Sequence, residues 1–285
     1  MSSMPDTSYP PIIGIDGHAH VFSRDLQLTS GRRYTPDYDA TLQAYLEQLR
    51  EHGLSHGVLV QPSFLGTNNQ YLLDALKRAP SQLRGVAVVD RDISRAELQQ
   101  MAGQGVVGIR LNLMGKPLPD FTEPGWKRLL DEVAALGWHV ELHRGVEDIP
   151  ALIRGLLPFG CKIVVDHFGR PDARLGVDHS AFQAFLECGS SGLVWVKVSA
   201  IYRLGGTPAQ NAEFARAALP LLIKGFGLDR LVWGSDWPHT QHESEIGYGD
   251  VVEQLRELGC SDEVRRALLI DAPKELFGFS LVEEL

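Results

Sequence analysis

Short apolar segments alternate along the chain with polar loops and amphipathic stretches. Near-continuous runs of Val, Ile and Leu are typical of parallel strands buried on both faces, and the stretches between them have helical spacing. Strands are predicted over residues 12–16, 56–60, 85–89, 106–111, 138–142, 162–166, 193–199 and 230–235. Helices are predicted over residues 39–52, 68–79, 94–102, 124–136, 146–156, 179–187, 209–224 and 248–258. About eight such units in about 250 residues predict an α/β fold, a single (β/α)8 TIM barrel, rather than a doubly wound sheet.

The end of the chain continues beyond the eighth unit. We expect residues 1–285 to form one domain, because no linker-like or low-complexity segment interrupts the pattern. In residues 262–285, a helix is predicted near 263–270, Pro273 stands at a plausible helix start, and Gly278 marks a turn. This tail is expected to pack over the outside of the barrel.

Composition narrows the classes of partner. With 44% hydrophobic residues and a formal charge of −9, the chain has core-forming capacity but no overall basic field for nucleic acid. No apolar run approaches the length of a membrane span, and the start lacks the regions of a signal peptide. Cys161, Cys188 and Cys260 are widely spaced. We therefore expect a cytoplasmic protein, monomeric or homodimeric, with neither nucleic-acid nor membrane partners.

The first predicted strand leads into two histidines. His18 and His20 are separated by one residue, so on an extended chain their imidazoles share a face. Their position just past a strand's carboxyl end is where α/β barrels keep their chemistry. The pair is typical of metal ligation or proton transfer, although alone it fits two exposed loop histidines equally well.

Further polar side chains follow later strands. His143, His167 and Asp236 stand after the fifth, sixth and eighth strands, whereas the strand interiors are expected to carry almost no charge. Each has a structural alternative: Asp236 as a cap, and either histidine as a packed residue. Arg110, after strand 4, alternatively forms a buried pair with Asp90 or Glu141. The joint pattern favours an active site.

The joint pattern resembles the amidohydrolase superfamily. His18, His20, His143, His167 and Asp236 resemble that superfamily's ligand arrangement. Two runs, residues 165–172 (VDHFGRPD) and 231–239 (LVWGSDWPH), resemble its 2-pyrone-4,6-dicarboxylate lactonase-like branch, which also contains sugar lactonases. The likeness extends over nearly the whole chain, including residues 85–90, 108–112 and 276–279.

The resemblance implies roles for individual residues. Asp236 would be the base that activates water, and His18, His20 and His167 would polarise the lactone carbonyl. The implied substrate-binding residues are Arg110, Arg170, Arg203, Tyr34, Ser63 and Lys116. Lys116 replaces a second arginine of the branch, so a point charge stands where the branch has a bidentate fork and the substrate can differ.

A metal is the open question. His143 replaces a tyrosine of the branch, so His18, His20, His143 and Asp236 form an N3O set suited to one zinc or manganese ion. Arg110 cannot serve as the strand-4 residue that bridges two metals in binuclear relatives. The expectation is that no cofactor is required, although one Zn or Mn ion can bind.

Three functions remain in order of preference. The first is a hydrolase that opens a small anionic lactone, such as a 2-pyrone-4,6-dicarboxylate-like, muconolactone-like or sugar-acid lactone, by water activated at Asp236. The second is a mononuclear metal-dependent decarboxylase of the amino-carboxymuconate type, with His167 as free acid or base. The third is a non-catalytic anion-binding barrel, favoured if Asp236 is buried and paired.

Overall fold

Eight parallel strands follow one another in chain order around a nearly closed barrel in the computed structural model, which describes residues 11–279. The strands are β1 Ile15–Ala19, β2 His56–Val60, β3 Leu83–Ala87, β4 Val106–Asn112, β5 His139–His143, β6 Lys162–Val165, β7 Val194–Ser199 and β8 Leu231–Gly234. Every neighbouring pair from β1 to β8 is parallel. The predicted (β/α)8 TIM barrel is confirmed.

Helices connect successive strands and surround the barrel. They are α1 Leu42–Glu51, α2 Gln70–Arg78, α3 Arg95–Ala102, α4 Pro124–Ala135, α5 Ile149–Leu156, α6 Ser180–Glu187, α7 Pro208–Phe226 and α8 Tyr248–Glu257. The tail contains α9 Asp262–Arg266, a π-helical turn Ala267–Asp271 and α10 Ala272–Phe277. Among residues 11–279, no helix combines the length and apolar character that crossing a bilayer requires.

The first strand begins later than predicted. It was expected over residues 12–16, but its partners in β2 pair with residues 15–19, with an irregularity in between. Ile13 is apolar yet 59% exposed, so hydrophobicity alone misplaced the start. As a result, His18 lies inside β1, and only His20 follows its carboxyl end.

Backbone hydrogen bonds close the barrel at the carboxyl ends of the strands, which we call the mouth. The Asp236 N–H donates to the His18 carbonyl at 2.8 Å, and the His20 N–H donates to the Trp237 carbonyl at 2.7 Å. Below them, Asp16 accepts hydrogen bonds from the backbone N–H and the hydroxyl of Ser235. The residues after β8 are thereby fixed beside β1.

The tail seals the opposite end of the barrel. Residues of α10 and Phe279 pack in one apolar cluster with interior side chains from β1, β2, β3, β6, β7 and β8. This cluster, which we call the floor, comprises Ile15, Val58, Val60, Val86, Val164, Trp195, Val232, Ala272, Leu276, Phe277 and Phe279. The expectation that the tail lies over the outside is wrong in this respect, because α10 buries its apolar side chains under the strands.

A layer of charged side chains lies between floor and mouth. Arg110, Glu141 and Lys197 stand within β4, β5 and β7 and are at most 4% exposed. The expectation of nearly uncharged strand interiors is therefore wrong. These groups are tolerated because they neutralise one another: Arg110 contacts Glu141 at 3.2 Å and Asp166 at 2.6 Å, and Lys197 also contacts Glu141. Of the two partners considered for Arg110, Glu141 is present.

Candidate active site

A polar cavity of about 110 Å³ opens at the mouth. Its walls come from the loops after β1, β2, β4, β5, β6, β7 and β8, which is where a barrel of this type assembles its site. The lining residues are His20, Arg33, Tyr34, Pro62, Ser63, Phe64, Arg110, Asn112, Met114, His143, His167, Arg170, Arg203, Asp236, Thr240 and Gln241.

One carboxylate oxygen of Asp236 faces three imidazoles. Asp236 Oδ1 lies 3.6 Å from His18 Nε2, 3.5 Å from His20 Nε2 and 3.9 Å from His167 Nε2. All four side chains are at most 7% exposed. The structure thus brings together the four residues that the sequence predicted as catalytic. The distances leave Oδ1 beside the cavity with no short hydrogen bond to a ring nitrogen.

The other oxygen of Asp236 is held firmly. Asp236 Oδ2 accepts hydrogen bonds from the Tyr202 hydroxyl and from Arg203 Nε, both at 2.6 Å. Burial opposes ionisation of Asp236, but the Arg203 guanidinium and the surrounding imidazoles outweigh it and hold its pKa well below the usual range. Asp236 is buried and paired, the condition that favours a non-catalytic barrel, but the pairing involves Oδ2 and leaves Oδ1 to the imidazoles.

Hydrogen bonds orient the histidines. The carbonyl of Val60 lies 2.7 Å from His20 Nδ1 and can only accept, so that nitrogen carries the proton. In its neutral form His20 therefore directs the lone pair of Nε2 toward Asp236. His167 Nδ1 lies 2.8 Å from the Ser199 hydroxyl, and burial lowers the pKa of His167 to about 3, so the ring is neutral at pH 7.

Seven non-glycine residues in the loops after β6, β7 and β8 adopt left-handed backbone conformations, which such residues rarely use. Among those that line the cavity, φ is 52° for His167, 53° for Arg170 and 59° for Asp236. Such conformations cost about 1–3 kcal/mol each and concentrate at functional sites. They turn the chain sharply after β6 and β8, which places these three side chains at the cavity. No sequence pattern at hand indicated this strain.

Guanidinium groups make the cavity cationic. Arg110 and Arg203 are engaged with buried carboxylates, as described above. Arg170, by contrast, forms no salt bridge with any residue in the described part of the chain, and burial lowers its pKa to about 10. Arg33, which was not predicted, lines the same cavity and donates to the Asn112 side chain at 3.3 Å. Arg170 and Arg33 are available to an anionic ligand.

The remaining predicted binding residues differ in position, because two of them line the cavity and one does not. Tyr34 and Ser63 line the cavity, with the Tyr34 hydroxyl donating to Glu243. Lys116 does not line it, and its side chain is exposed. The reason is local: the Lys116 N–H bonds the Leu113 carbonyl, and its own carbonyl is held by Arg144, which fixes the loop away from the cavity.

Two overlapping groups have the spacing of metal ligands. His18, His20 and Asp236, all members of the predicted set, have ligand atoms 3.3–3.6 Å apart. His18, His167 and Asp236 place their ligand atoms within 4.8 Å of one another. His167 thus joins this triad, which does not include His143. The His143 ring lies 5.4 Å, centroid to centroid, from that of His167 and lines the cavity wall. Within residues 11–279, neither of its nitrogens has a hydrogen-bond partner. Burial holds the pKa of His143 well below its usual range, so the ring is neutral.

Sequence reasoning assigned no site role to three contributors, although Lys197 and Tyr202 stand among the polar residues at the end of the seventh predicted strand. Tyr202 immediately precedes Arg203, and this pair after β7 was a usable signal for an Asp236 clamp. Lys197 stands between Val196 and Val198 in a buried strand, where an unpartnered ammonium is too costly, so its sequence context signals a buried acid. Arg33 lies in an irregular loop and had no such signal.

A family model and several known proteins match this chain over most of its length. The family model described as Amidohydrolase matches residues 15–279. The chain is 36% identical over 280 residues to a 2-pyrone-4,6-dicarboxylate hydrolase of Comamonas testosteroni, covering 94% of this chain and 90% of the relative. It is 27% identical to a 4-sulfomuconolactone hydrolase of Hydrogenophaga intermedia, covering 92% and 88%.

A solved structure shows the same likeness in three dimensions. A crystal structure from Pseudomonas putida, assigned as a 2-pyrone-4,6-dicarboxylic acid hydrolase, superposes with a TM-score of 0.92 at 58% identity. The alignment covers 95% of this chain and all of that one. The shared architecture therefore includes the strands and loops that build the mouth.

Proposed function

Because this chain belongs to the amidohydrolase family, we propose that it opens a small anionic lactone by hydrolysis, with 2-pyrone-4,6-dicarboxylate as the first substrate to test. The class of reaction agrees with the hydrolase relatives. The observation that carries the proposal is the position of Asp236 Oδ1, which lies 3.5–3.9 Å from three imidazole nitrogens at the cavity.

The proposed chemistry adds one water to one ester bond. A water between Asp236 Oδ1 and the lactone carbonyl carbon loses a proton to the carboxylate as its oxygen bonds to that carbon. The charge that develops on the carbonyl oxygen is stabilised by imidazole N–H groups. The ring C–O bond then breaks, the ring oxygen takes up the proton held by Asp236, which restores the carboxylate, and the new carboxylic acid releases one proton to solution near pH 7.

The low pKa of Asp236 has two effects. It keeps the carboxylate ionised at all neutral pH values, and it makes that carboxylate a weak base. The site compensates through position: Tyr202 and Arg203 fix Oδ2, so Oδ1 needs no reorientation when water binds.

Substrate charge is recognised by the cationic wall of the cavity. Arg170 and Arg33 supply guanidinium groups that are not neutralised by a carboxylate within residues 11–279. Arg203 and Arg110 have acid partners, so their first role is to hold Asp236 and Asp166. Guanidinium groups bind carboxylate or sulfonate groups strongly, which favours a lactone bearing such groups over a neutral one.

We further propose that the enzyme requires no metal and binds no nucleic acid. Residues 1–285 are proposed to form one cytoplasmic domain. The three cysteines are free, as expected of a reducing compartment. The decarboxylase alternative is supported by no specific contact at the site. It needs a metal held by His18, His20, His143 and Asp236, and His143 is absent from the groups of ligand atoms that come together in residues 11–279.

A substrate panel tests the proposed function. Purified protein is incubated with 2-pyrone-4,6-dicarboxylate, a sulfonated muconolactone, a sugar-acid lactone and an uncharged lactone of similar ring size. Ring opening is followed by loss of absorbance and proton release. We expect kcat/KM for a dianionic lactone to exceed that for the uncharged one by about 10–100-fold or more, since each charged hydrogen bond contributes about 1.5–3 kcal/mol. Absence of turnover on every lactone would contradict the proposal.

A further inference from the structure

A second potential metal site lies directly below Asp236, inside the barrel. His18, Glu141 and Asp166 each place one ligand atom within 4.8 Å of the others, and all three are buried. The centre of this group is taken by a side chain of the protein itself. Lys197 Nζ lies 2.9 Å from His18 Nδ1 and 3.6 Å from Asp166 Oδ1, and it donates to Glu141 Oε2.

Charge balance accounts for the internal cation. Arg110 and Lys197 contribute two positive charges, and Asp166 contributes one negative charge. Burial and the neighbouring Asp166 raise the pKa of Glu141 to about 7, so the layer is neutral above that pH and carries no excess negative charge below it. A divalent ion added above it would have no uncompensated buried acid to offset its charge, since Asp236 is already paired with Arg203.

Hydrogen-bond direction has a sharper consequence. An ammonium group has donors and no lone pair, so Lys197 must donate to His18 Nδ1. The ring proton of neutral His18 then resides on Nε2, the nitrogen that lies 3.3 Å from His20 Nε2 and 3.6 Å from Asp236 Oδ1. A nitrogen that carries a proton cannot ligate a metal. The triad of His18, His167 and Asp236 has the spacing of a metal site, but one of its three donors is in the wrong tautomer.

We propose that the Lys197 ammonium takes the place of a metal ion in this barrel. It fixes the proton of His18 on Nε2, and this N–H, directed at the His20 Nε2 lone pair 3.3 Å away, orders the imidazoles that face Asp236 and the bound lactone. Lys197 is thus a positioning residue that acts through His18. The catalytic half of the inference rests on the proposed lactone hydrolysis, whereas the tautomer and the exclusion of metal do not.

The structure also shows what would replace Lys197. Asp166 Oδ1 lies 3.4 Å from His18 Nδ1 and accepts no hydrogen bond from the described residues. With the ammonium removed, this oxygen and that of Glu141 at 3.6 Å are the acceptors that remain near His18 Nδ1 among residues 11–279. His18 would then carry its proton on Nδ1 and expose a lone pair on Nε2, the second-shell arrangement that metal-bound histidines use.

Two measurements without substrate test the inference. In long-range 1H–15N spectra, His18 of the wild-type protein is expected as the Nε2–H tautomer, and Lys197→Met is expected to convert it to Nδ1–H. In zinc titrations by calorimetry, Lys197→Met is expected to bind one Zn²⁺ at least about tenfold more tightly than the wild type. An Nδ1–H His18 in the wild type, or equal zinc affinity in both proteins, would overturn the inference.

Control variants separate this effect from general damage. Lys162→Met removes a lysine at the start of β6 that lies over the Trp195 ring, and it should leave both the tautomer and the zinc affinity unchanged. If Lys197→Met does not fold, Lys197→Met with Glu141→Gln restores the charge balance and carries the same two expectations. An unchanged tautomer in that double variant also overturns the inference.

The outcomes remain distinct from those of the proposed function. A wild-type protein that opens no lactone but holds His18 as Nε2–H would refute the function and leave the internal cation intact. A wild-type protein that opens lactones and loses that activity reversibly in EDTA would refute the internal cation and leave the hydrolase intact.

Discussion

The mouth and the floor lie at opposite ends of one barrel and are built under opposite physical rules. At the floor, apolar side chains of strands and tail interlock and exclude water. At the mouth, the side chains are polar, seven non-glycine residues have left-handed backbone conformations, and two arginines lack acid partners in the described chain. Stability is concentrated at one end, and the other end is free to keep strained and charged groups in reactive positions.

The largest expected effect is at the mouth. Asp236→Asn removes the proposed base and should lower kcat by about 10²–10⁴-fold, the usual contribution of a positioned proton acceptor. Steady-state kinetics measures the loss, and circular dichroism checks the fold. Asp172→Asn, which affects an acid paired with Arg174, is the matched control. If Asp236→Asn kept more than one tenth of wild-type turnover, the base would lie elsewhere.

At the floor, a substitution is expected to lower the stability of the fold without impairing catalysis. Phe277 is fully buried among the strand ends, so Phe277→Ala should lower the free energy of unfolding by about 3–5 kcal/mol. Denaturant titration measures the change, and Phe277→Leu should recover part of it. At a temperature where both proteins are folded, KM should stay near the wild-type value. A large rise in KM would show that the floor shapes the cavity.

The unpaired arginine at the mouth should affect binding more than chemistry. Arg170→Met is expected to raise KM for a dianionic lactone by about 10–100-fold, in line with the loss of one charged hydrogen bond. The effect on an uncharged lactone should be small. Arg256→Met, on the surface of α8, serves as control. Equal losses on charged and uncharged substrates would identify Arg170 as a structural residue.

Buried neutral histidines at both the mouth and the floor make the stability of the fold sensitive to acid. Burial lowers the pKa of His139 and His167 to about 3 and of His56 and His239 to about 4. The unfolded chain takes up these protons near pH 6.5 and the folded chain does not, so stability falls as pH drops from about 6.5 toward 3.

A His139→Leu variant tests this pH dependence of stability at the floor. Between pH 5.5 and 4, His139→Leu should reduce the slope of unfolding free energy against pH by one proton, about 1.4 kcal/mol per pH unit. Denaturant titrations at several pH values measure the slope, with His179→Leu on the surface as control. An unchanged slope would mean that folded His139 binds its proton.

The sequence predicted the barrel because its signal is repeated in every unit. Alternating apolar runs and amphipathic stretches indicate parallel strands whatever the exact boundaries, so the late start of β1 left the architecture unchanged. The polar residues at strand ends were found for the same reason. Once the strands were assigned, His18, His20, His167 and Asp236 had to meet at the mouth.

What the sequence did not predict depends on contacts between distant segments. Two hydrogen bonds to the backbone of Lys116 hold this residue away from the cavity. The position of Arg33 depends on an irregular loop. The pairing of Lys197 with Glu141 becomes visible only when β5 and β7 face each other across the interior. Left-handed backbone at His167 and Asp236 has no periodic pattern from which to predict it.

The most direct test of the account follows the atoms of the reaction. Wild-type protein is incubated with 2-pyrone-4,6-dicarboxylate in 18O-labelled water, and product mass, proton release and CO2 are measured together. The account predicts one 18O in the new carboxylate and one proton released per lactone consumed, without CO2. CO2 released in proportion to substrate consumed, or a product without label, would contradict the assignment of this barrel as a lactone-opening hydrolase.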